Sequence, residues 1–405
     1  MNQPASTDEL LLDILLGDHG QAGPYDSYRR LREAAPVLMT NSGVLVLSRF
    51  AECDAALRDR ALGKVDESLG FRLSEVPDDL QRKAMHRFRR TMLFRNPPDH
   101  QRLRRLVTDV FTQRHVEQIR ASIIERIEVL LDGIEESKDV DIMTQLALPL
   151  PVNVIGDLLG LPIEGRELAA PLVRDLVAPL EPSADAAAIQ RASDSEDRLA
   201  EYLSDLIAQK RSKPVDDLLS RLANARGDDT LDDDECVGTA ILLFAAGFET
   251  TTNLIGNGLA ALLDHPEQFD LLRSRPDLAS NAVEEFLRFD APVQTNGRTA
   301  LEATTIAGVD LIPGTVVLTL LGAANRDPER HSEPDLLDLE RSDPAPISFG
   351  AGIHFCLGAP LARMEGRELF PRLVRRFPNL TPAGNPVWRK GLSFRGLESL
   401  PVSVR

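Results

Sequence analysis

The stretch FGAGIHFCLG, residues 349–358, sets Cys356 in a run with three glycines. The chain of 405 residues has two other cysteines, Cys53 and Cys236, and their spacing excludes a CxxC motif, a zinc ribbon or a disulfide framework. A lone cysteine in such a chain is most often a small buried hydrophobe. The neighbours of Cys356 shift that expectation. Gly350 and Gly352 let the backbone turn or approach where a Cβ would clash, and Gly358 opens APLARMEGREL, which has a helical pattern. A thiol at a helix start is biased toward thiolate by the helix dipole, and such a thiolate is a metal ligand or a nucleophile. His354, two residues before the thiol, points elsewhere if the loop is extended, which weakens the case for a paired base.

The composition sets broad bounds. Hydrophobic residues make up 43% and charged residues 27%, ordinary globular usage. The formal charge of −17 argues against general nucleic-acid or anionic-membrane binding. The apolar run Leu10 to Leu16 is interrupted by Asp13 and preceded by acids, unlike a signal peptide. The longest apolar stretch, Thr239 to Leu263, carries Glu249, Asn253, Asn257 and a threonine triplet, so it reads as a buried helix and not a membrane span. Widely spaced thiols fit a cytoplasmic, reducing compartment.

Helical punctuation dominates, with patterned runs at His115 to Ile134, Glu196 to Lys213 and Asn281 to Arg288. Strand signals are short: Val44 to Leu47, then Thr305 to Val309 and Thr315 to Leu320 around Pro313 and Gly314. One mainly α domain with small sheets, spanning 1–405, is expected. Thr230 to Leu263 reads as one long helix, with Thr230 and Asp233 resembling a capping box. In its middle, AAGFETTT (245–252) is poor helix interior and invites a local distortion. Ala246 and Thr250 share one face there, with Glu249 beside them. The formal GxGxxA at 256–261 sits inside this helix and not between a strand and a helix, so a phosphate-binding reading is discarded.

One thiolate without protein co-ligands suggests a cofactor that brings its own remaining ligands, as haem does. The pattern F-G-x-G-x-H-x-C-x-G resembles the haem-binding loop of the cytochrome P450 superfamily at every fixed position. The resemblance extends over most of the chain. AGFETT at 246–251 is similar to the family's oxygen-activating helix motif, and Glu285–Phe286–Leu287–Arg288 to its E-x-x-R motif. NRDP at 325–328 with PDLLDLER at 334–341 resembles the segment whose arginine, here Arg341, joins that pair. PPDHQRLRRLV at 97–107 is similar to the stretch supplying a histidine and an arginine to the haem propionates, here His100 and Arg104. Two positions depart from the pattern: Leu337 stands where phenylalanine is usual, and 343–348 has two prolines where a histidine-containing stretch is commoner.

The resemblance implies a single P450 fold with haem b (iron protoporphyrin IX) buried between a long central helix and the cysteine-loop helix. Cys356 would be the axial iron ligand, with Phe349, Gly350 and Gly358 shaping its loop. His100, Arg104, Arg298 and His354 would hold the propionates, Ala246 and Gly247 would open room for dioxygen, and Thr250 with Glu249 would relay protons. Glu285, Arg288 and Arg341 would form a structural network. Leu243, Ala246, Val293, Asn296, Leu392 and Phe394 would line the pocket of a lipophilic substrate. The activity implied is an O2-dependent monooxygenase, a monomer, fed by a separate ferredoxin and NAD(P)H-dependent reductase, since no flavin or iron–sulfur segment is found in the sequence. Alternatives are oxidative coupling or rearrangement on the same fold, or a non-catalytic haem-thiolate binding protein. Between Arg82 and Arg105 stand nine Lys/Arg residues and one acid. Arg102, Arg105, Arg114 and Arg363 are the candidate docking surface for an acidic ferredoxin.

Overall fold

The long helix is Asp233–Asp264, and its start follows from side-chain capping. Asp232 Oδ1 accepts the Glu235 amide hydrogen at 2.8 Å, and Glu235 Oε2 accepts that of Asp232 at 3.2 Å. This reciprocal box lies two residues beyond the expected Thr230/Asp233 pairing. The Thr230 hydroxyl donates instead to the Gly227 carbonyl at 2.9 Å. The expected distortion does not interrupt the helix, which runs unbroken through AAGFETTT. Burial outweighs the poor local propensity: from Cys236 to Leu262, every residue except Ala246, Gly247 and Thr250 is buried.

The computed structural model describes residues 6–65, 77, 80, 84–135, 139–227 and 230–404. Arg82, which opens the basic run, lies outside them. The chain packs as two units, one of Met1–Gly63, Ala121–Ala147 and Thr250–Arg405, the other of Lys64–Arg120 and Leu148–Glu249.

In the first unit a five-stranded sheet has the order Val37–Met39, Leu45–Leu47, Val316–Leu320, Thr295–Ala300, Leu62–Gly63. Leu45–Leu47 pairs parallel with Val316–Leu320, Leu45 opposite Val317; the other pairings are antiparallel. Leu45, Leu47, Val317, Leu57, Ile347 and the buried thiol Cys53 share one apolar core beneath it. The strand pairing expected around Pro313 and Gly314 is not found. Thr304–Ile306 pairs instead with Val309–Leu311, because Ala307 (φ 50) and Gly308 (φ 80) both take the left-handed conformation of a tight hairpin turn. Gly258 shows what its glycine motif serves: an added Cβ would lie 2.7 Å from the Phe370 ring and 3.0 Å from that of Phe286, so it permits helix packing.

The second unit is helical. Ala186–Ser212 starts ten residues before the expected Glu196, capped by Asp185, whose carboxylate accepts from the Ala188 amide at 2.8 Å, and packs against Ile163–Val177. The run expected as one helix over His115 to Ile134 is two, Gln113–Gln118 in this unit and Arg120–Glu135, which belongs to the first unit from Ala121 onward. Among the described residues no single helix is long and apolar enough to cross a membrane.

Candidate active site

The cysteine loop is held in shape by backbone contacts that only glycine allows. Gly350 and Gly352 both have φ 68, in the left-handed region. At Gly352 a Cβ would also come within 2.4 Å of the Leu57 carbonyl oxygen, so the loop lies directly on the end of the Phe50–Arg58 helix. The Cys356 amide donates to the Phe349 carbonyl at 2.9 Å, closing the loop. Gly358 then caps Ala359–Arg376. The result is an outward thiol: Cys356 is exposed, whereas Cys53 and Cys236 are buried. Burial raises the thiol of Cys53 and pushes that of Cys236 up to about 11, so neither is poised to ionise.

Glu285, Arg288 and Arg341 come together as the motifs imply. Glu285 receives two hydrogen bonds of 2.7 Å from Arg288 and is 3.1 Å from Arg341 Nε at its nearest. One carboxylate thus faces two buried guanidiniums. The remaining donors are taken by carbonyls: Pro334 and Leu336 accept from Arg288, and Ser332 and Leu336 from Arg341. Sequence reasoning missed how this network reaches the cysteine loop. Asn325 donates to Ser348 Oγ at 2.7 Å and accepts from the Ile347 amide at 2.8 Å, while Ser348 Oγ donates to the Leu287 carbonyl at 2.7 Å. The histidine-free entry to the loop is therefore pinned by a serine and an asparagine. Leu337, the other departure, is buried.

Arg298 lies on strand Thr295–Ala300 and is 3% exposed. Its guanidinium donates to Asn296 Oδ1 and to the Gly297 carbonyl, the latter at 3.0 Å. Among the described residues no carboxylate pairs with it, and burial alone lowers its pKa to about 10. The Asn296 side chain, expected in the substrate pocket, is thus used in positioning Arg298. Val293 and Phe394 are brought opposite one another in an isolated bridge, and the Gln294 amide donates to the Ser393 carbonyl at 3.1 Å. Phe394 is half-buried and Leu392 fully buried.

On the long helix, Ala246, Gly247 and Thr250, at spacings i, i+1 and i+4, are the residues between Cys236 and Leu262 that are not fully buried. Glu249 and Leu243 are buried beside them. At Gly247 a Cβ would meet Ile155 at 2.5 Å, so Ile155 packs directly against the helix at this position. His100, on Asp99–Thr108, is buried, and Arg104 on the same helix is half-buried. His354 is half-buried in the cysteine loop. Of the four candidate docking cations, Arg105 and Arg114 are exposed. Arg102 is paired with Glu235, and Arg363 with Glu284.

A glycine-built loop presenting a thiol, tied through Ser348 and Asn325 to an E-x-x-R network, defines a haem-thiolate class of site. The family model for cytochrome P450 matches residues 180–275 and 272–394, and the chain belongs to that family. Its relatives include the polyketide biosynthesis cytochrome P450 PksS of Bacillus subtilis (strain 168), 36% identical over 96% of this chain and 99% of that protein. The vitamin D(3) 25-hydroxylase of Pseudonocardia autotrophica is 40% identical over 97% and 96% of the two chains. Among solved structures, P450BioI in complex with an acyl carrier protein ligated to hexadec-9Z-enoic acid matches with a TM-score of 0.88. It is 36% identical, covering 94% of this chain and 98% of that one. The protein is therefore an oxidoreductase, a P450 monooxygenase of small molecules, and its cofactor is haem b. The residues fit that group: of the three thiols only that of Cys356 is exposed, and Arg298 is a buried cation without a carboxylate partner among the described residues, as a propionate requires.

Proposed function

We propose that this enzyme inserts one oxygen atom from dioxygen into a lipophilic small molecule, by hydroxylation or epoxidation. A separate ferredoxin and NAD(P)H-dependent reductase supply its electrons. The observation that carries the reading is the outward thiol of Cys356 on a loop held by left-handed glycines. When bound, haem supplies the centre at which dioxygen is activated, and a thiolate ligand favours O–O cleavage. The chain's own residues do the rest. Arg298, His100, Arg104 and His354 bind the propionates. Phe349, Gly350 and Gly358 shape the loop, and Glu285, Arg288 and Arg341 brace it. The small side chain of Ala246 leaves room for dioxygen and Gly247 lets Ile155 pack close to the helix, while the Thr250 hydroxyl and the Glu249 carboxylate hold and pass protons there. The chain acts as one catalytic domain, in the cytoplasm and as a monomer.

The substrate class rests on apolar side chains with few polar groups: Leu243, Val293, Leu392 and Phe394. The relatives' names point the same way, to vitamin D(3), a polyketide and a fatty acyl chain. These names also support a role in secondary metabolism. Exposed Arg105 and Arg114 offer a cationic surface to an acidic ferredoxin on a chain of charge −17, whereas Arg102 and Arg363 are engaged by Glu235 and Glu284.

The reduced, carbon monoxide-treated protein should show the far red-shifted Soret band of a thiolate-ligated haem, and Cys356→Ser should abolish it. A normal band in that variant would refute the ligand assignment. Reversing the charge of Arg105 and Arg114 should slow reduction by ferredoxin and flatten its salt dependence. Unchanged kinetics would remove the docking surface from this reading.

A further inference from the structure

Arg363 stands on the second turn of Ala359–Arg376, and its guanidinium lies 4.6 Å from the centre of the Phe349 ring. The carbonyl of that same Phe349 accepts the Cys356 amide hydrogen. Glu284 grips the guanidinium from the other side: Nε donates to Oε1, and Nη2 to Oε2 at 3.0 Å. A two-point carboxylate contact fixes the plane of a guanidinium, and the ring face attracts its charge. Neighbouring Glu285 turns the opposite way, to Arg288 and Arg341. The adjacent cation on the loop helix, Arg367, is itself 3.5 Å from Glu368. The paired charges of Glu284 and Arg363 therefore stand next to the cysteine loop, with side chains 22% and 38% exposed.

We infer that Glu284 is a positioning residue for the redox centre: it holds Arg363 against Phe349 and offsets its charge, so that neither charge alone shifts the reduction potential of the haem ligated by Cys356. The inference rests on Cys356 being the haem ligand. Reduction adds one electron to the centre, so an uncompensated cation nearby favours the reduced form and an uncompensated anion opposes it.

Spectroelectrochemical titration of the haem-loaded protein tests this with variants of opposite sign. Glu284→Gln leaves the Arg363 charge uncompensated and should shift the reduction equilibrium about tenfold toward the ferrous form, ~59 mV upward for one electron. Arg363→Gln leaves Glu284 uncompensated and should shift it downward by a similar amount. The double variant should return close to the wild type, and Glu284→Asp, which keeps the charge, should stay with it. A packing role alone would move both single variants in the same direction. That result, or unchanged potentials, overturns the inference. The carbon monoxide Soret band, read in each protein, separates this failure from that of the underlying reading: its absence in the wild type would overturn the thiolate ligand itself.

Discussion

Lowering the pH should destabilise this protein through His331. The imidazole is 2% exposed, and neither ring nitrogen has a hydrogen-bond partner in the structure. It stacks edge-on against the Phe50 ring with centroids 6.0 Å apart. Burial, first, and then Arg288, Arg330 and Arg341 disfavour its protonation and lower its pKa to about 4, with Asp343 opposing. The unfolded chain takes up this proton near the ordinary value of about 6.5. The folded state therefore loses nothing above that value, loses stability as pH falls from about 6.5 towards 4, and loses no more through this group below it. Between pH 7 and pH 5 the loss from this one residue is on the order of 2 kcal/mol. Denaturant titrations of the haem-loaded wild type and His331→Leu at both pH values isolate it. The wild type should lose about 2 kcal/mol more than the variant over that interval. Equal losses in the two proteins would refute the reasoning, since other titrating groups are common to both.

Further outcomes follow from single contacts. Glu285→Gln removes the one carboxylate facing two buried guanidiniums and should cost about 3–5 kcal/mol, seen as a collapse in the yield of haem-loaded protein. Gly352→Ala forces a Cβ to within 2.4 Å of the Leu57 carbonyl at φ 68. The left-handed backbone alone costs about 1–2 kcal/mol, so the melting temperature and the fraction showing the red-shifted carbon monoxide band should both fall. Arg298→Gln should have opposite effects on the two forms of the protein. Haem transfer to an acceptor protein should quicken about tenfold or more through loss of a charge-assisted bond, while the haem-free protein should melt no lower than wild type.

The cysteine loop and its companion motifs were legible in the sequence because their chemistry is local. Gly350 and Gly352 allow a left-handed backbone that other residues resist, and E-x-x-R places Glu285 and Arg288 on one helix face without knowledge of the rest of the fold. The long helix was legible from its apolar length, but its cap was not. Thr230 and Asp232 are both able caps, and only the backbone geometry decides between them. Pairing over long sequence distances stayed out of reach. Ser348, donating to the Leu287 carbonyl, joins the cysteine loop to the E-x-x-R helix across 61 positions, and Glu284 to Arg363 crosses 79. Both side chains read as ordinary surface or loop polar residues until the helices are packed. The strand pairing near Pro313 failed for the converse reason. That dipeptide is a strong turn signal, yet the hairpin turn is built two residues after Thr305, at Ala307 and Gly308, where alanine gives no hint of a positive φ.

The charge balance of the buried arginines argues for the site independently of any motif. A guanidinium stays protonated when buried, so each one needs a compensating partner. Arg395 has Asp290 at 2.7 Å, Arg166 has Asp157 at 2.7 Å, and Arg326 has Asp335 at 3.1 Å. Arg288 and Arg341 share Glu285 and spread their remaining donors over carbonyls. Arg32 donates to the Ala323 carbonyl within the field of Asp327, Asp335 and Glu33. Arg298 alone in this set has only an amide and a carbonyl, and burial is the single influence on its proton. An anion supplied from outside the chain would compensate this cation. Haem carries two carboxylates, and the fold places this cation in the same unit as the one outward thiol. Electrostatics and the cysteine loop therefore select the same cofactor from different residues, and Arg298→Gln separates the two arguments because it leaves the thiol untouched.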